Sequence, residues 1–299
     1  MTDVAGQAIV VGVDYSTGAD DAVRWAAATA QARRGELKIV HARRHSGSYF
    51  YDGVLEGAGT DAEAMREDAD RIIRGAVELA RSQAKDLAIT TEVCVESPAL
   101  TLIELSRDAR TLVLGRTGRG GFAGMLVGST TIAVAGHAHC PVAVVRGRAD
   151  STTVAGPVVV GIDGSPTSEQ AIARAFDEAS ARGVPLVALH AWLDVTYDDL
   201  YVTSRVLPAW DSIRAEEERL LAQRLAGWQE KYPDVDLRRV LVRDRPRHAL
   251  LEWSANAQLV VVGSRGRGGF IGMLLGSISQ ALLQHAQCPV LVVRHDGAG

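Results

Sequence analysis

Apolar runs and helical stripes alternate along this chain, and they do so twice in the same order. The first run, "AIVVGV" at 8–13, is short, β-branched and continuously apolar, as a strand buried on both faces requires. Residues 19–34 carry Ala22, Val23, Ala26, Ala27 and Ala30 at helical spacing. They predict a helix that stops at Gly35, where Arg33 and Arg34 suit the dipole and glycine suits a left-handed cap. The pattern continues with strands at "ELKIVHA", "AITTEVCV", "TLVLG" and "PVAVV", and with helices at 61–84, "ALTLIELSRD" and 128–136. From residue 158 the order recurs as "VVVGI", a helix ending at Gly183, "LVALHA", a helix at 210–231, "DLRRVLV", "ALLEWSAN", "LVVVG" and "PVLVV".

Asp14 in "VVGVDYS" and Asp163 in "VVGIDGS" lie 149 residues apart, and "HAHCPVAVVR" and "HAQCPVLVVR" are offset by 148. A period this long makes each copy a domain rather than a solenoid unit, and 299 residues are enough for two cores. The expected division is 1–147, a small and polar linker at 148–156, and 157–299. Alternating apolar strands and helices predict an α/β fold of two Rossmann-like doubly wound domains. Each is a five-stranded parallel sheet flanked by helices, with ligands at the carboxyl ends of the strands.

The closest internal match is glycine-rich: "GRTGRGGFAGMLVG" at 115–128 and "GSRGRGGFIGMLLG" at 263–276 agree at ten of fourteen positions. Each stretch begins where the fourth strand ends and closes where a helix begins. Free N–H groups and the dipole favour an anion there. Gly115 and Gly118 are expected to adopt positive φ and leave room for ribose or phosphate, and the Ser129 and Thr130 hydroxyls to donate to phosphate oxygens. Gly263, Gly266, Gly276 and Ser277 do the same in copy two, with Ile278 at the place of Thr130. Arg119 and Arg267 sit in flaps close enough to pair with phosphates. A merely flexible loop is the competing reading, and the recurrence at a strand end before a helix favours the phosphate site. Neither GxxxxGK[ST] nor GxGxxG is matched.

The spacing Gly-x2-Gly-x9-Gly-[Ser/Thr], met by Gly115, Gly118, Gly128, Ser129 and by Gly263, Gly266, Gly276, Ser277, resembles the ATP-binding motif of the universal stress proteins in their tandem mycobacterial form. The resemblance spans both copies, including "GVD" and "GID", "VHA" and "LHA", and the final "CPV". It implies one ATP per domain, with Asp14 and Asp163 beside ribose and phosphates and holding Mg²⁺ through the nucleotide, and Ala42 and Ala191 meeting adenine through their backbone. Tyr15, where copy two has Gly164, is expected to crowd or cover the first site.

Composition narrows the rest. Net charge is −4 with scattered basic residues, which predicts no nucleic-acid partner. No apolar run approaches about 18 residues and the N-terminus has no leader pattern, so neither membrane insertion nor export is expected and the location expected is cytoplasmic. Cys94, Cys140 and Cys288 form no CxxC pair, and His137, His139 and Cys140 read as structural rather than as metal ligands, because copy two keeps only His285 and Cys288. Trp192, Trp210, Trp228 and Trp253 read as packing residues. The irregular segments 45–60 and 194–209, with Tyr49, Phe50, Tyr51, Tyr197 and Tyr201, read as ordered loops or recognition surfaces. The function expected is an ATP-binding regulator of stress or growth state, acting on an unidentified protein partner and pairing as a homodimer. The alternative is a slow ATPase or adenylyl-transferring enzyme, although no positioned base accompanies the motif.

Overall fold

The structure, a computed structural model, describes residues 8–43, 58–118, 126–146, 156–192, 210–266 and 274–294. Contacts divide the chain into two compact units, Met1–Ala149 and Asp150–Gly299. Unit one runs β1 (Ile9–Gly12), α1 (Thr17–Ala32), β2 (Glu36–Ala42), α2 (Ala58–Gln83), β3 (Ala88–Cys94), α3 (Pro98–Leu105), β4 (Thr111–Gly115), α4 (Ser129–His137) and β5 (Val142–Val145). Its strands are all parallel, in the order β3-β2-β1-β4-β5. Unit two runs β6 (Val158–Gly161), α5 (Pro166–Arg182), β7 (Leu186–Ala191), α6 (Trp210–Arg224), α7 (Trp228–Lys231), β8 (Leu237–Val242), α8 (Pro246–Trp253), β9 (Leu259–Gly263), α9 (Ser277–His285) and β10 (Val290–Val293). Its order, β8-β7-β6-β9-β10, repeats the first.

The continuous apolar runs occupy the sheet centres. Ile9 pairs with Leu37 on one side and Thr111 on the other, and Val158 with Leu186 and Leu259. Leu37, Ile39, Leu112, Leu186 and Leu259 are fully buried, each contributing about 1.5–3 kcal/mol. The α1 face that meets the sheet is built from Ala19, Ala22, Val23, Ala26, Ala27 and Ala30, whose small side chains let the helix lie close. Between β1 and β4 the chain direction of winding reverses. This opens a crevice at the carboxyl ends of the strands.

Two local expectations are corrected. The left-handed residue ending α1 is Arg34, at φ 50°, while the Gly35 N–H closes the turn onto the Ala30 carbonyl at 2.9 Å. The matching residue of α5 is Gly183, at φ 64°, so copy two uses glycine where copy one places an arginine in the same conformation. The helix expected over 210–231 is interrupted at 225–227, where Gly227 takes φ 78° and α7 restarts at Trp228. The break brings the Trp228 ring onto Phe176, with centroids 5.4 Å apart, and the Tyr232 ring to 5.5 Å from it.

Candidate functional site

The crevice of unit one is built first by the turn after β1. Asp14 Oδ1 accepts from the Ser16 N–H at 2.9 Å and from Ser16 Oγ–H at 2.5 Å. Ser16 Oγ in turn accepts from the Ala19 N–H at 3.1 Å and caps α1. One carboxylate oxygen is thereby fixed at the head of a helix. Unit two repeats the lock: Asp163 Oδ1 accepts from Ser165 N–H at 2.9 Å and Oγ–H at 2.7 Å, and Ser165 Oγ accepts from the Ser168 N–H at 3.2 Å.

The main chain at Gly118 then lies against that carboxylate. Neither Gly115 nor Gly118 has positive φ, nor do Gly263 and Gly266, which corrects the reason assigned to them. Close approach is the reason instead. A Cβ on Gly118 or Gly266 would stand 2.6 Å from Oδ2 of Asp14 or Asp163, and one on Gly115 would stand 2.5 Å from the Gly18 carbonyl group. At Gly263 the obstruction is milder, with Thr167 Cβ at 3.0 Å. The glycines let backbone lie against the acid and the head of the first helix.

Gly128 caps α4 in extended conformation and donates its N–H to the Arg116 carbonyl at 2.8 Å. No side chain caps the first turn, so its leading amides are not taken by a capping side chain. Gly276 does the same for α9, donating to the Ser264 carbonyl at 2.7 Å. Thr131 Oγ1–H donates to the Gly115 carbonyl at 3.0 Å, and Ser279 Oγ–H to the Gly263 carbonyl at 2.8 Å. These two hydroxyls pin the helix to the strand end. Sequence reasoning missed them, although a hydroxyl two residues after Ser129 and Ser277 in both copies was a visible signal. Burial, then the neighbouring Arg146, lowers the pKa of the Arg116 guanidinium.

Together these elements enclose a cleft of about 410 Å³, within the roughly 300–1,000 Å³ of small-molecule sites. Asp14, Ala42, Gly115, Gly118, Gly128, Ser129 and Thr130 all line it. So do Pro98 and Leu102 of α3, an apolar wall the sequence did not indicate. Tyr15 does not line this cleft: the residue is 41% exposed, its hydroxyl donates to the Asp68 carbonyl at 3.2 Å, and it lines a second, smaller cleft against α2. In unit two Asp163, Ala191, Gly263, Gly266, Gly276, Ser277 and Ile278 occupy the corresponding strand ends and helix head. Arg119 and Arg267 lie outside the described residues, as do Tyr49, Phe50, Tyr51, Tyr197 and Tyr201. His137 Nδ1 contacts the Ala133 carbonyl, and Cys140 and Cys288 are buried thiols.

Comparison with known proteins places both copies. A family model described as the universal stress protein family matches residues 6–146 and 155–294. A universal stress protein of Mycobacterium tuberculosis is 43% identical over 295 residues, covering 96% of each chain. One of Mycolicibacterium smegmatis is 43% identical over 293 residues, again covering 96% of each. A universal stress protein from Archaeoglobus fulgidus is similar in fold at TM-score 0.68 and 18% identity, covering 97% of this chain and 99% of its own. No helix among the described residues is long and apolar enough to cross a membrane.

Proposed function

The chain belongs to the universal stress protein family, and from that premise we propose that each of its units binds ATP as a ligand that sets conformation or partner choice. The observation that carries this reading is the cleft lined together by Asp14, Ala42, Gly115, Gly118, Gly128, Ser129 and Thr130. Its parts fit an adenine nucleotide in kind. The leading amides of α4 and the Ser129 and Thr130 hydroxyls suit phosphates, Gly115 and Gly118 add main chain to the cleft wall beside them, and Pro98 and Leu102 offer an apolar surface for a base. Asp14 would meet Mg²⁺ carried by the nucleotide, and Asp163 would do so in unit two. Arg119 and Arg267 would pair with phosphates.

In unit two the same roles fall to Ala191, Gly263, Gly266, Gly276, Ser277 and Ile278. The Asp14 and Asp163 carboxylates are each committed through Oδ1 to a serine, which makes them anchors of the turn rather than bases for water. Turnover of bound nucleotide is therefore slow, and the chain acts as a cytoplasmic, homodimeric regulator of stress or growth state through a protein partner. Mass spectrometry of ligand released from purified protein tests the reading. ATP or ADP at up to two per chain is expected, and a flavin or no nucleotide after expression and reloading with Mg-ATP contradicts it.

A further inference from the structure

We propose that unit two carries a zinc site on Asp244, His248 and Glu252, separate from the nucleotide cleft. The three residues are spaced by four and lie along one side of α8, beginning at the residue two before its first turn. One ligand atom from each lies within 4.8 Å of the others. The Arg245 N–H donates to Asp244 Oδ1 at 2.7 Å, which turns Oδ2 toward His248 Nδ1 at 2.6 Å. One helical turn further, Glu252 is exposed, and among the described residues no Lys or Arg pairs with its carboxylate. Three donors of imidazole and carboxylate type, with a water in the fourth position, suit Zn²⁺ better than Mg²⁺ or Ca²⁺, which take oxygen donors. A tetrahedral set with bonds of about 2.0–2.1 Å needs its donor atoms about 3.4 Å apart. The three ligand atoms, now within 4.8 Å of one another, would draw together to that spacing on binding.

Unit one supplies an internal control. The matching positions are Glu96, Leu100 and Glu104, so the imidazole is absent, and Arg107 Nε donates to both Glu104 oxygens at 3.1 Å. Arg107 corresponds to Ala255. Unit two therefore has a ligand where unit one has an exposed leucine, and an alanine where unit one has the cation that occupies the second carboxylate. The exchange at His248 does not favour the helix itself, since leucine is the better helix former. An imidazole here and an unpaired second carboxylate are what a metal site needs.

The test uses the full chain, stripped with chelator and then titrated with Zn²⁺ against a chromophoric zinc indicator, alongside His248→Leu and Glu252→Gln. Both substituted side chains are exposed, so circular dichroism of the stripped proteins is expected to be unchanged. Wild type should take up one more zinc per chain than His248→Leu, and Glu252→Gln should bind that zinc at least tenfold more weakly. Co²⁺ in place of zinc should give tetrahedral d–d absorption that His248→Leu loses. Equal stoichiometry and affinity in wild type and His248→Leu, or no zinc uptake by wild type at micromolar concentration, overturns the proposal.

Discussion

Where α1 packs on α2 in unit one, the chain uses Ala27, Ala80 and Ala84, all fully buried; the same three positions in unit two are Phe176, Trp228 and Tyr232. The two solutions fill one place in one fold. Alanines let α2 run unbroken for 26 residues against its neighbour, whereas three stacked rings need width, and the helix of unit two breaks at Gly227 to admit them. By contrast, the locks around Asp14 and Asp163 agree bond for bond. Packing has drifted between the copies while the geometry at the strand ends has not. A cleft that merely followed the fold would have drifted with the helices.

The largest expected effect breaks the packing half of this comparison. Phe176→Ala removes the ring between Trp228 and Tyr232 and should cost about 3–5 kcal/mol, read as a lower urea midpoint. The reverse change, Ala27→Phe, should overpack unit one and cost about 1–3 kcal/mol. Hydrogen exchange resolved by unit should show each loss confined to its own copy.

Next come the two glycines that end β4 and β9. Gly115→Ala drives a methyl into backbone of Gly18 and should destabilise by about 3 kcal/mol, whereas Gly263→Ala meets a threonine side chain and should cost about 1 kcal/mol. Equal costs in thermal melts would show that the strand ends are not packed as described.

A smaller asymmetry concerns the buried histidines at the ends of β2 and β7. His41 and His190 both turn Nδ1 to a main-chain carbonyl, of Val13 and Ile162, but only His190 also has a carboxylate, Glu217, at 2.7 Å from Nε2; Ala69 stands at that place in unit one. Glu217→Ala should cost about 1–3 kcal/mol by leaving a buried ring nitrogen unsatisfied. A melting temperature unchanged from wild type would remove this pair from the account. Smallest is the cap: Arg34→Gly should stabilise by about 1 kcal/mol and Gly183→Ala should destabilise by as much, because only glycine adopts positive φ without a Cβ penalty.

The apolar strands, their parallel order and the place of the cleft were legible in the sequence because buried strands need unbroken apolar runs and the glycine segment follows one in each copy. The reason for the glycines was not, because Gly118 is glycine on account of Asp14, more than a hundred residues earlier, and local pattern carries no such contact. Likewise Pro98 and Leu102 read only as helix residues; which α3 face looks into the cleft depends on how the helix packs. Arg34 was misread although its register with Gly183 was available, since Gly35 next to it satisfied the usual cap signature.

The central claim is that Gly118 and Gly266 hold the backbone against Asp14 and Asp163 so that each unit can accept a nucleotide. Calorimetric titration of nucleotide-stripped protein with Mg-ATP tests it most directly, in wild type, Gly118→Ala, Gly266→Ala and the double variant. A methyl at either position would stand 2.6 Å from the carboxylate and displace it, at an expected loss of about 2–3 kcal/mol, or roughly thirty- to a hundredfold in affinity. Two sites in wild type, one in each single variant and none in the double are predicted; a folded double variant that binds ATP as tightly as wild type contradicts the account.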